Sequence, residues 1–280
     1  MVIRQSHDDI LRLFAESDPI LLLSGLSILV GANIFAGIFF RSHTQEKNSK
    51  QGKQKRVEPS PIFVVFMLSQ IAKYVPGKVW SVIAQKAYLG PDVSTVNLLV
   101  SNVKLTILAL VVIIASSGIF MTAYLSQDPK IWLPLSVFAF VSIFFLGKLD
   151  FTRLLSRFIE YGYPLKINRT QESIAGISGS LYFLLFTVGW YLVFLSATPV
   201  DHQQALRYSL AFCIGQSAGI VSMMPAGLGA RELAVLGSTT AFGIEEETGV
   251  YIALFSRLVL LGIDALCFLI GVVLTSLKKK

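Results

Sequence analysis

The sequence predicts an all-α integral membrane protein: a helical bundle with about five full spans plus two segments broken by proline and glycine. Three observations carry this expectation. The chain has 280 residues, of which 54% are hydrophobic and only 15% charged. The apolar residues come in uninterrupted blocks, several of them reaching the ~20 residues that a helix needs to cross hydrocarbon. The basic residues gather in a few connections, as topology-setting charges do. Such a composition excludes an ordinary soluble domain, and the net charge of +7 reflects membrane orientation rather than nucleic-acid binding.

Residues 1–18 form a polar N-terminal segment, and 19–277 read as one polytopic membrane domain. The first apolar block, 19–40, is expected to be retained as a span. Asp8, Asp9, Glu16 and Asp18 stand where a signal peptide carries basic residues, and the apolar run is too long for one. The linker 42–60, beginning SHTQEKNSKQGKQKRVEP, is polar, basic and of low complexity, suited to anionic headgroups. Further full spans are expected at 95–123, 131–147, 173–198 and 249–277. Between them, 148–172 reads as a cytoplasmic amphipathic loop. In it Phe151, Leu154, Leu155, Phe158 and Ile159 recur at helical spacing, with Arg153 and Arg157 between them.

Two regions differ. The apolar stretches 61–89 and 206–242 are interrupted, by YVPGKVW and by MMPAGLGARE. If only the uninterrupted segments cross, all the basic connections fall on one side. Those are Arg41 to Arg56, Lys148 to Arg169, and the tail Lys278, Lys279 and Lys280. The positive-inside rule makes that side cytoplasmic, with the N-terminus outside and the C-terminus inside. The first broken segment then dips in from the cytoplasm and the second from outside, the pattern of an inverted repeat. An echo of FMLSQ (66–70) in FCIGQ (212–216) accords with it. A pair of hairpins that span fully would preserve the same sidedness.

Ionisable groups at membrane depth cost about 2.5–3.5 kcal/mol each on insertion scales, so each is a candidate functional residue. A broken helix also exposes backbone N–H groups, and with a cation beside them the break becomes an anion site. Lys73, Lys78 and Arg231 are the candidate lipid-phosphate ligands on that reasoning, and Pro76, Gly77, Pro225, Gly227 and Gly229 the broken tips. Gln70, Trp80, Gln216, Glu232, Arg257 and Asp264 are candidate polar or wall residues of a cavity between the tips. Each has a plainer alternative. Arg257 and Asp264, seven apart on one helical face, fit a structural pair; Glu232 fits a neutralising partner of Arg231 or Arg257; Gln70 and Gln216 fit interhelical hydrogen bonds. Lys104 fits a side chain snorkelling to the interface. Cys213 and Cys267 read as small core residues, and the histidines His7, His43 and His202 are too scattered for a metal site. No nucleotide-binding loop, metal site or cofactor is expected.

The two motifs, YVPGKVWSVIAQKAYLG followed much later by MMPAGLGARELAVLG, a further span carrying Arg257, and a basic tail resemble the lysylphosphatidylglycerol synthase transmembrane-region (UPF0104) family. The likeness covers nearly the whole chain. It implies a flippase-like module for anionic or phosphate-bearing lipids, such as phospholipids or polyprenyl-phosphate-linked glycans, serving cell-envelope biogenesis in the cytoplasmic membrane. It implies the module without the soluble synthase domain of the multiple peptide resistance factors, for which no room remains before Lys280. The family's Pro-Gly and Arg-Glu positions fall on Pro76, Gly77, Pro225, Gly227, Gly229, Arg231 and Glu232. Where many relatives carry an acidic residue after the first motif, this chain has Lys104. The expected partners are membrane lipids and envelope glycosyltransferases or lipid-synthesis enzymes. Two other functions stay open: a scaffold acting through Arg153, Arg157 and the 42–60 linker, and a lipid-phosphate transferase or hydrolase using Glu232 or Asp264.

Overall fold

A computed structural model describes residues 17–44, 59–74, 80–90, 93–126, 128–148, 169–197, 200–222 and 224–277. In chain order the helices are α1 Pro19–Thr44, α2 Pro59–Leu68, a 3-10 turn Ile71–Tyr74, α3 Trp80–Leu89, α4 Thr95–Ser126, α5 Pro129–Lys148 and α6 Arg169–Leu195. These are followed by α7 His202–Val221, a 3-10 turn Pro225–Gly227, α8 Ala230–Thr239, a 3-10 turn Thr240–Phe242 and α9 Glu246–Leu277. Among the described residues there is no strand. Helices α1, α4, α5, α6 and α9 are long and apolar enough to cross a membrane, which makes this a multi-pass membrane protein. Its outward faces are correspondingly apolar: Leu23, Leu133, Phe138, Phe145, Leu258 and Leu269 are all exposed.

The helices start where local chemistry satisfies their free N–H groups. Asp18 accepts from the N–H of Ile20 at 2.8 Å and of Leu21 at 3.2 Å, with Pro19 in the first helical position, where its missing N–H costs nothing. Asp201 and Gln204 form a reciprocal capping box at the start of α7. The spans pack through small residues. A Cβ added at Gly189 would sit 2.7 Å from Leu29, and one at Gly25 2.8 Å from Val193, so α1 and α6 meet almost backbone to backbone. Ala32 and Ala36 are buried within the chain, and Gly147 of α5 lies against Gly176 of α6. An aromatic core of Phe186, Trp190, Phe194, Phe212 and Phe255 ties α6 to α7 and α9, with Trp190 stacked on Phe212 at 3.8 Å.

Specific contacts sort the helix termini into two ends. The N–H of Asp18 donates to the carbonyl of Ser196 at 2.8 Å, Tyr124 at the end of α4 lies beneath Arg207, and Arg207 donates to the carbonyl of Phe242. The starts of α1, α7 and α9 therefore share one end with the finishes of α4 and α6. His43, Lys104 and Gly147 line one cavity at the other end. The connections 45–58, 149–168 and 278–280, where many of the basic residues cluster, leave from this second end and lie outside the described residues. So does the expected amphipathic helix around Arg153 and Arg157.

Both broken segments return to the end from which they enter. Helix α2 passes Gly271 of α9 at Leu68, and the turn after it reaches Asp264 through Tyr74; seven residues of α9 separate those contacts, about 10 Å along the helix. Helix α3 comes back beside α2, where Gln85 donates to Ser69 at 3.1 Å. From the opposite end α7 descends, reverses at 222–229 and returns as α8 to the carbonyl of Phe242 beside Arg207. The two breaks, Ile71–Tyr74 and Pro225–Gly227, come within 8 Å of each other, Cα to Cα. They are opposed re-entrant hairpins meeting tip to tip, not hairpins that span.

Candidate functional site

The second tip is shaped by backbone conformation. Ala226, Gly227 and Gly229 have φ of 49°, 69° and 79°, a left-handed region that only glycine enters without cost. At Gly227 space adds to the requirement, because a Cβ there would stand 2.7 Å from the Cα of Gly219 in α7. The chain can thus double back against α7 only with hydrogen in place of a side chain at Gly227. The return helix α8 begins at Gly229, whose N–H donates to Glu232 Oε2 at 2.8 Å, half of a capping box.

That reversal places Arg231 in a groove over the glycines of α7. Its Nε lies 3.5 Å from where a Cβ on Gly219 would stand, and its backbone carbonyl 3.0 Å from one on Gly215. The result is an arginine only 8% exposed. The other carboxylate oxygen of Glu232 accepts from Arg257 Nε on α9, so the partner of Glu232 is Arg257, 25 positions downstream. Two turns further along α9, Asp264 accepts a 2.6 Å hydrogen bond from the hydroxyl of Tyr74 on the first tip. Arg231 feels the like charge of Arg257 and the opposite charges of Glu232 and Asp264. Five groups from both hairpins and one long helix thus converge.

Their hydrogen bonds do not balance. Glu232 serves Arg257 and Gly229, and Asp264 accepts from Tyr74. Arg231 Nε and Arg257 Nη2 are buried with no hydrogen-bond partner, as is Gln216 Oε1 on α7. Buried donors are nearly always satisfied in folded proteins, so two unpartnered guanidinium N–H groups around one junction single it out as the candidate site.

Other expected site residues fare differently. Lys78, Pro76 and Gly77 lie outside the described residues. Lys73 belongs to the 3-10 turn that meets the second tip, and Pro225 opens that second tip. Gln70, just past the end of α2, donates back to the carbonyl of Phe66 at 3.3 Å. Trp80 is 45% exposed at the start of α3. Lys104 is turned inward instead of out to the interface: it is 5% exposed and lines the small cavity with His43, because the face of α4 that carries it packs inside the bundle.

Two features of the junction escaped the sequence. Tyr74 opens the first motif, yet nothing in its spacing links it to an aspartate 190 positions away. Ser69, Gln85 and Asn102 form a relay, with Asn102 donating to Gln85 at 2.8 Å and Gln85 to Ser69. That relay fastens the legs of the first hairpin to α4. Among the described residues no three of His, Cys, Asp and Glu come together as metal ligands would. No family model, curated protein or solved structure matches the chain.

Proposed function

We propose that this membrane protein translocates an anionic or phosphate-bearing lipid, holding its headgroup at the junction of the two hairpin tips. The cell membrane is its setting, with the basic connections in the cytoplasm and the N-terminus outside. The observation that carries this reading is the pair of buried, unpartnered guanidinium donors, Arg231 Nε and Arg257 Nη2. They stand where segments entering from opposite ends meet. Phosphate, like carboxylate, presents oxygens that planar guanidinium donors match, and it is the anion that lipid headgroups carry. Non-helical backbone is tolerated at membrane depth only where protein or a polar cavity shields it, and hairpins broken in this manner form substrate sites in transporters. The likeness of the two motifs to the flippase-like family points the same way.

The test is a reconstituted assay. Vesicles of phosphatidylcholine doped with fluorescent phosphatidylglycerol, and separately with a polyprenyl phosphate, are followed for leaflet exchange. Wild type is expected to exchange one of these lipids, and Arg231→Ala to lose exchange while its melting temperature holds. Arg231→Lys, keeping charge without the planar fork, is expected to recover only a part. Unaltered exchange in Arg231→Ala would remove the site from the mechanism.

A further inference from the structure

We propose that the end of the bundle opposite the basic connections carries a second binding site, for a neutral, hydroxyl-rich group such as a small saccharide. A cavity of 360 Å³ opens there, with Arg207, Tyr208, Glu245 and Tyr251 in its lining, a size within the range of small-molecule sites, about 300–1,000 Å³. It lies where the second hairpin enters and leaves, between the N-terminal ends of α7 and α9. From Arg207 to Gly219, which packs on the tip, is twelve residues of α7, about 18 Å along the helix. The cavity is thus separate from the junction.

Its lining points to the ligand class. Tyr251 is 3% exposed, yet its hydroxyl has no hydrogen-bond partner, and Arg207 Nε is likewise buried and unpartnered. Arg207 is held in place by the Tyr124 ring at 5.7 Å and by its own bond to the carbonyl of Phe242 at 3.4 Å, so it cannot swing away to satisfy itself. Glu245 and Asp201 set negative charge beside it, and both act on Tyr208 together with Arg207. Glu246 and Glu247 follow in the first turn of α9. This acidic surround repels phosphate and carboxylate, while the guanidinium in the wall repels cations. What remains is a ligand that both donates and accepts hydrogen bonds without net charge and lies against tyrosine rings. Vicinal hydroxyls on a sugar ring meet that description.

The site can be tested without any transport. The full chain is purified in a zwitterionic detergent, since glycoside detergents would compete, and probed by saturation-transfer NMR. The probes are the methyl glycosides of glucose, galactose, mannose and N-acetylglucosamine, with inorganic phosphate as a comparator. At least one glycoside is expected to bind. Tyr251→Phe, which removes only an unpartnered hydroxyl, and Glu245→Gln are each expected to weaken it by about tenfold, with unchanged melting temperature. Arg231→Ala is expected to leave glycoside binding intact, so failure of the junction's transport role would not count against this site. Absence of binding by all four glycosides, phosphate binding in their place, or binding indifferent to both substitutions would overturn the proposal.

Discussion

Replacing Glu232 by alanine breaks two contacts at once, and the surroundings of each set its size. The Glu232 and Arg257 side chains are each 26% exposed, between surface pairs worth about 0–1 kcal/mol and enclosed pairs whose rupture costs about 3–5 kcal/mol. The pair is therefore expected to couple by about 1–2 kcal/mol. The second contact, from the Gly229 N–H to Glu232 at 2.8 Å, caps α8, and losing such a cap costs about 1 kcal/mol. Glu232→Ala should then destabilise the protein by about 2–3 kcal/mol, and Glu232→Gln, which keeps an oxygen for the cap, by about 1–2 kcal/mol. Equilibrium unfolding in mixed detergent micelles, run on Glu232→Ala, Arg257→Ala and the double variant, isolates the coupling. A coupling energy of zero, or a glutamine variant as damaged as the alanine one, would refute the assignment of both contacts.

Two more predictions concern the tips. Gly227→Ala should cost about 2–4 kcal/mol, from a left-handed φ of 69° together with a Cβ 2.7 Å from Gly219. Gly219→Ala faces Gly227 at 3.4 Å and should be close to neutral, so thermal melts showing the reverse order would contradict the packing described. Tyr74→Phe should lower stability by about 1–3 kcal/mol, the worth of a hydrogen bond to a charged acceptor. In an Asp264→Asn background the same change should cost distinctly less, and equal costs in both backgrounds would mean that the Tyr74–Asp264 bond is not made.

The spans were legible because each is a long apolar run whose length alone answers to the hydrocarbon. The return of each broken segment to its own side was legible for a different reason: once the basic connections are placed on one side, the broken segments must begin and end on the same side, whereas stopping short and spanning fully are distinguished only by the meeting of the two tips. Pro225, Gly227 and Gly229 announced the reversal through conformations that other residues resist. Partnership was the obscure part. Glu232 had two arginines within plausible reach, and the choice of Arg257 depends on how α8 lies against α9, which no local pattern encodes. Lys104 looked interfacial because position along a span gives depth but not the face, and here the face is turned inward beside His43. Tyr74 went unremarked because a tyrosine next to Pro-Gly reads as a turn residue, whereas its hydroxyl is spent on α9. The cavity at the far end was invisible, being assembled from the two termini of a hairpin and the start of the last span.

Helix α9 grips both hairpins, Glu232 through Arg257 and Tyr74 through Asp264, at points two turns apart on a single rod of 32 residues. A rod held at two places is a lever. If it tilts about a point between them, the attachments swing in opposite directions, one tip drawn along as the other is pushed back. Rotation about its long axis instead carries both the same way. The two re-entrant segments are therefore mechanically joined: a displacement of α9 reaches both tips, with opposite sign when the rod tilts and with the same sign when it turns.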